Sequence, residues 1–162
     1  MFRFIGLMLF ALTLAAGLHG RTLRVGEDAP EFKANGKVIN MPETGRTLDE
    51  CRGGVLVVHE WHVRDASARV CGALQKYWDQ HAGKGLHIWT IHRLDFEKWP
   101  EVEVICRKGK YTFPVAMGGF YDEKNDFFGY KHDAPGFRTT VVGVDGKVAF
   151  YGTDGWEAAL KT

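Results

Sequence analysis

Apolar residues along this chain fall into short blocks with two different periods. Val55 to Glu60 is a continuous apolar run that closes on polar residues, and its valines and length predict a fully buried strand. From Ser67 to His81 the positions Val70, Cys71, Leu74, Tyr77 and Trp78 recur at helical spacing. Asp65 or Ser67 can cap the start of that helix, and Gly83 and Gly85 end it. Leu86 to His92 is β-branched and aromatic, and predicts a second strand. Phe96 to Arg107 predicts a second helix, with Pro100 marking a start or a kink. Phe113 to Met117 reads as a short strand and Gly118 to Pro135 as a loop. Thr139 to Val144, the turn Asp145-Gly146 and Lys147 to Tyr151 form a hairpin, followed by a short terminal helix over Trp156 to Leu160.

Before the first buried run the pattern is weaker. Val25 to Phe32 is a polar entry loop with a proline. Ala34 to Met41 reads as a turn on Asn35-Gly36 and a short strand, and Thr47 to Glu50 has the spacing of a capping box. The resulting order is strand, helix, strand, helix, strand, then a strand and hairpin. That alternation predicts an α/β fold: a central mixed sheet, mainly parallel, with helices on both faces and a C-terminal β-hairpin at one edge.

The N-terminus lies outside this pattern. Arg3 precedes an almost wholly apolar run from Phe4 to Ala16, with small residues at Ala15, Ala16 and Gly17. This is the make-up of a signal peptide, residues 1–20, cleaved after Gly17 or Gly20 to leave a domain over 21–162. The run is shorter than a membrane-spanning helix needs, which favours export with cleavage over the alternative of a short membrane anchor, so the mature chain is expected to carry no span and to be secreted or periplasmic. A formal net charge of +1 over 162 residues gives no electrostatic footprint for nucleic acid. The chain has three cysteines, Cys51, Cys71 and Cys106, an odd number with no zinc-site or Cys-x-x-Cys spacing. No cofactor is expected.

Several segments resemble the redoxin branch of the thioredoxin superfamily, the TlpA and ResA-like thiol-disulfide proteins and their AhpC/TSA relatives. VGEDAPEF resembles that family's entry motif, and RGGVLVVHEW its first core strand. ALQKYWDQHAGKGLHIWTIH, TFPVAM and RTTVVGVDGKVAFYG resemble the helix and strand that follow, the added strand and the closing hairpin. The resemblance covers roughly Val25 to Trp156 and implies a thioredoxin-like fold. The two family cysteines would fall at Asp65 and Ala68, or in the other register at Arg64 and Ser67, and neither register offers a thiol. The family's cis-proline would fall at Arg138, where a cis bond is too costly to expect. The resemblance also places the two main helices on opposite faces, so a Cys71–Cys106 bridge is not expected.

Four groups are candidates for function. Cys71 is a candidate catalytic thiol, because a thiolate near a helix N-terminus is activated. Its place on the apolar stripe equally suits a buried small hydrophobe. His59, His62 and His92 would meet at the C-terminal ends of adjacent parallel strands and are candidate metal ligands. Arg64, Asp65 and Arg138 put charge where the dithiol and the proline would stand, and are a candidate docking surface for another protein. The aromatic loop residues from Phe120 to Phe137 suit either packing or an interface. The leading expectation is a non-catalytic binding or scaffold module. The alternatives are a divergent single-cysteine peroxidase or oxidoreductase using Cys71, and a histidine-based metal-binding protein.

Overall fold

The computed structural model describes residues 23–32, 37–63, 66–93, 99–118, 130 and 137–160. The buried apolar run becomes β2 (Val55–Trp61), a central strand of a sheet that has six strands among the described residues. Its partner on one side is the parallel strand β3 (Leu86–Arg93), in register from Val55 opposite Leu86 to Trp61 opposite His92. Beyond β3 come the parallel strand β4 (Val115–Gly118) and the antiparallel edge strand β1 (Val38–Ile39). On the other side β2 pairs antiparallel with β5 (Thr139–Val142), which turns back into β6 (Val148–Gly152). The sheet order is β1-β4-β3-β2-β5-β6.

The helices follow the expected spacing with small shifts. A one-turn helix, α1 (Leu48–Cys51), is capped by the Thr47 side chain, which accepts the Glu50 N–H at 3.2 Å. Helix α2 spans Ala68–His81, α3 spans Trp99–Gly109 and α4 spans Trp156–Ala159. Pro100 sits in the first turn of α3, where its missing N–H costs nothing. Ser67 holds the N-cap position of α2, but its side chain makes no capping bond. Its hydroxyl instead accepts the His62 N–H at 3.2 Å.

The two faces of the sheet carry separate cores. Leu56, Val58, Trp89, Ile91 and Val142 face a layer made of Leu23, Phe32, α1 and Tyr130. Val57, Trp61, Ile88, Val115 and Val141 face α2, α3 and α4 through Cys71, Leu74, Val102, Cys106 and Trp156. The expectation that α2 and α3 lie on opposite faces is therefore corrected. The strands they link run β2, β3, β4 in one direction across the sheet. Two right-handed crossovers in the same direction put both helices on the same face.

Trp61 and Trp89 are buried, while Trp78 is only partly buried. Tyr130 is buried against Phe32, with ring centroids 6.0 Å apart in an edge-on arrangement. Phe120, Tyr121, Phe127 and Phe128 lie outside the described residues, as does the N-terminal segment. Among the described residues no helix is long and apolar enough to cross a membrane.

Candidate functional site

The C-terminal ends of β2 and β3 and the start of β5 converge at one edge of the sheet. In open α/β sheets this edge is where ligands bind. Side chains on each strand alternate between the two faces, so the edge has two layers. His59, Trp61 and His92 project toward the α2 face. Glu60 and Arg93 project toward the opposite one.

His59 is 2 % exposed and both ring nitrogens are engaged. Nε2 lies 3.0 Å from the Ser67 carbonyl oxygen, which can only accept, so Nε2 carries the proton. Nδ1, 2.9 Å from Thr139 Oγ1, then accepts from the threonine hydroxyl. Burial pushes the pKa of His59 down to about 4, against the smaller opposing effect of the Ser67 bond. His59 therefore joins β2, β5 and the start of α2 as a neutral ring.

His62 and His92 are brought together without forming a chelate. His62 stacks on His92 with centroids 5.2 Å apart and on Phe137 at 6.2 Å. The Trp61 ring meets His92 edge-on at 5.2 Å. His92 Nε2 accepts the Val63 N–H at 3.4 Å. Among the described residues no group of three or more His, Cys, Asp or Glu side chains is arranged to hold a metal ion. The lone pairs of His59 and His92 that a cation would use already accept protein hydrogens.

The charged layer is larger than the sequence pattern suggests. Glu60 is 1 % exposed and lies 3.9 Å from the Arg93 guanidinium, itself nearly buried. Arg93 sits over the Phe137 ring at 5.8 Å, and Arg138 over Tyr151 at 5.6 Å. Burial raises the pKa of Tyr151. Arg138 and Arg93 oppose that rise and Glu60 adds to it, so all four side chains are within electrostatic reach. The Glu60 N–H donates to the Arg138 carbonyl at 2.9 Å, fixing the start of β5 beside β2. The Phe137–Arg138 bond is trans, since the described chain has no cis peptide. Arg93 and Tyr151 are absent from the sequence-based set. Their signal is register alone, which places a strand-terminal arginine next to a strand-terminal glutamate. Arg64 and Asp65 lie outside the described residues.

All three cysteines are buried and unbridged, with Cys51 2 %, Cys71 0 % and Cys106 4 % exposed. Burial raises every thiol: Cys51 to about 12, Cys106 to about 11, and Cys71 further still. Such groups are protonated at neutral pH and lack the electropositive, accessible setting of reactive cysteines. Cys71 packs with Leu74 and Val102 as the small-hydrophobe reading expects.

No family model matches this chain, and no curated protein matches it in sequence. Solved structures do match in shape. A candidate protein disulfide isomerase from Bacteroides thetaiotaomicron superposes with a TM-score of 0.64 at 20 % identity, covering 86 % of each chain. A thiol:disulfide interchange protein from a Bacteroides species gives 0.62 at 17 % identity, over 86 % of this chain and 88 % of the other. The thioredoxin domain of a thiol-disulfide oxidoreductase from Bacteroides vulgatus gives 0.61 at 16 % identity, over 86 % and 94 %. With the mixed six-stranded sheet of the described residues and these neighbours, the chain has a thioredoxin-like α/β fold.

Proposed function

We propose that this chain is an exported thioredoxin-like domain that binds a partner protein at the sheet edge formed by the C-terminal ends of β2 and β3 and the start of β5. In this reading Arg64, Asp65 and Arg138 form the docking surface. The observation that carries it is the burial of all three cysteines, with every thiol pushed toward the protonated form. Rings and ion-paired side chains occupy the edge instead: His62 against His92 and Phe137, Glu60 against Arg93, Arg138 against Tyr151. Polar loop residues held on a rigid sheet are well placed for recognition. The N-terminal apolar run of signal-peptide length supports secretion or delivery to a periplasm.

The test has two arms. The purified protein should leave insulin disulfides intact in the presence of dithiothreitol, and reduction at a thioredoxin-like rate would end the non-catalytic reading. Charge reversal at Arg64 and Asp65 together should abolish the complex with a partner recovered from the exported fraction, with the melting temperature unchanged. Undiminished binding would remove the docking surface from this edge. N-terminal sequencing of the exported protein should begin just after Gly17 or Gly20.

A further inference from the structure

Cys71 and Cys106 belong to one apolar cluster on one face of the sheet. The one-directional order β2, β3, β4 is what places α2 and α3 there together. Their neighbouring turns are tied. Gln75, one turn after Cys71, donates from Nε2 to Thr112 Oγ1 at 2.9 Å, and its Oε1 accepts the Thr112 N–H at 2.9 Å. On the other side, the Cys106 carbonyl accepts the Tyr111 N–H at 2.9 Å as α3 ends. The turn that closes α3 after Cys106 is therefore docked on the turn of α2 that follows Cys71. Electrostatics agree: Cys106 acts on the Cys71 thiol, and Tyr111 responds to both. Cys51 belongs to the other core, across the sheet.

We propose that Cys71 and Cys106 form an intramolecular disulfide that links α2 to α3 when the chain folds in an oxidising compartment. The bond uses none of the residues of the docking edge and goes beyond that reading. The oxidant is a disulfide of the glutathione or disulfide-carrier class. Cys106 lines a groove of about 460 Å³ together with Ile39, Asn40 and Tyr111, and this is the side from which the oxidant arrives. The Cys106 thiolate attacks one oxidant sulfur and expels the first thiolate, leaving a mixed disulfide. The Cys71 thiolate then attacks Cys106 Sγ and expels the second. Two S–H bonds are replaced by one S–S bond. Two electrons pass to the oxidant, which leaves as two thiols carrying the two protons. Exchange proceeds before the core closes, or during opening of the α2–α3 contact. Cys51 remains as the one free thiol, which accounts for the odd count.

The experiment refolds the purified protein across a range of glutathione ratios and, in parallel, with a phosphine reductant. Samples are acid-quenched, alkylated in denaturant and peptide-mapped. The expected result is a linked peptide pair containing Cys71 and Cys106, alkylation at Cys51 alone, and a melting temperature raised by about 5 °C or more over the reduced form. The Cys51→Ala variant should keep the bridge. Three alkylated cysteines at every ratio, or a bridge that includes Cys51, would overturn the proposal. Either failure leaves the insulin and partner-binding results untouched, because those read different residues.

Discussion

His59 Nε2 lies 3.0 Å from the carbonyl oxygen of Ser67, and this bond decides where the imidazole proton sits. The ring spans from the end of β2 to the first residue before α2 while its other nitrogen accepts from Thr139 on β5. His59 is a neutral staple between three elements.

The staple predicts a pH dependence. The pKa of His59 is about 4 in the folded chain against 6.5 for a free imidazole, because burial disfavours the cation. Above the higher value neither state is protonated and the staple contributes fully. As pH falls between the two values the unfolded chain takes a proton that the folded chain refuses. Stability should therefore drop by about 3 kcal/mol across that window. Half-buried His87, lowered by burial as well, adds in the same direction. Urea unfolding of the protein and of His59→Gln at neutral pH and near about pH 5 checks this. An equal pH slope in both proteins would contradict it.

The Glu60–Arg93 pair predicts a coupling. Its side chains are 1 % and 10 % exposed and lie 3.9 Å apart. Removing the cation leaves a carboxylate in the core with weaker compensation, so Arg93→Met should cost about 3 kcal/mol. Adding Glu60→Gln to that variant should recover more than half of the loss. Additive single-mutant costs in chemical denaturation would show that the two side chains act independently.

Helix α3 ends on a strained residue. Lys110 has φ of 52°, and the Tyr111 N–H reaches back to the Cys106 carbonyl at 2.9 Å in a Schellman turn. Glycine takes this left-handed conformation without steric cost. Lys110→Gly should stabilise the protein by about 1 kcal/mol, and Lys110→Ala should give no such gain. Thermal melts of the two variants separate strain relief from loss of the charged side chain.

Two adjacent glycines before β2 should respond differently to alanine. A Cβ on Gly54 would overlap the Gly85 carbonyl, the same oxygen that accepts the Val55 N–H at 2.7 Å. Both groups are backbone, so the β2–β3 register must shift, and Gly54→Ala should cost about 3 kcal/mol. Gly53 has φ of 81° but open space around it. Gly53→Ala should cost only about 1 kcal/mol, from backbone conformation alone. Comparable losses in denaturant midpoint would refute the distinction.

Much of the fold is legible in the local pattern. The run from Val55 becomes β2, and the helical spacing of Val70, Cys71, Leu74, Tyr77 and Trp78 becomes α2 with its buried stripe. Thr47 caps α1 as its spacing predicts, and Asp145-Gly146 turns β5 into β6. The side of the sheet taken by α3 is different. It depends on whether β4 adds beyond β3 or elsewhere, which is a long-range pairing that no local period encodes. For that reason Cys71 and Cys106, expected on opposite faces, share one core.

The candidate site divides along the same line. The residue types at the edge, and the lack of any Cys-x-x-Cys spacing, are properties of the sequence alone. It also contains every group that a histidine cluster or a reactive cysteine would need. Only tertiary structure decided how those groups are used. Parallel register set Glu60 near Arg93 and His62 against His92, and β5 brought Thr139 to His59 and Arg138 to Tyr151. Burial then lowered the His59 pKa and raised those of the three thiols. Local periodicity reports which face of an element is apolar. Which elements meet, and how far each polar group is removed from water, follows from strand order and packing across the whole sheet.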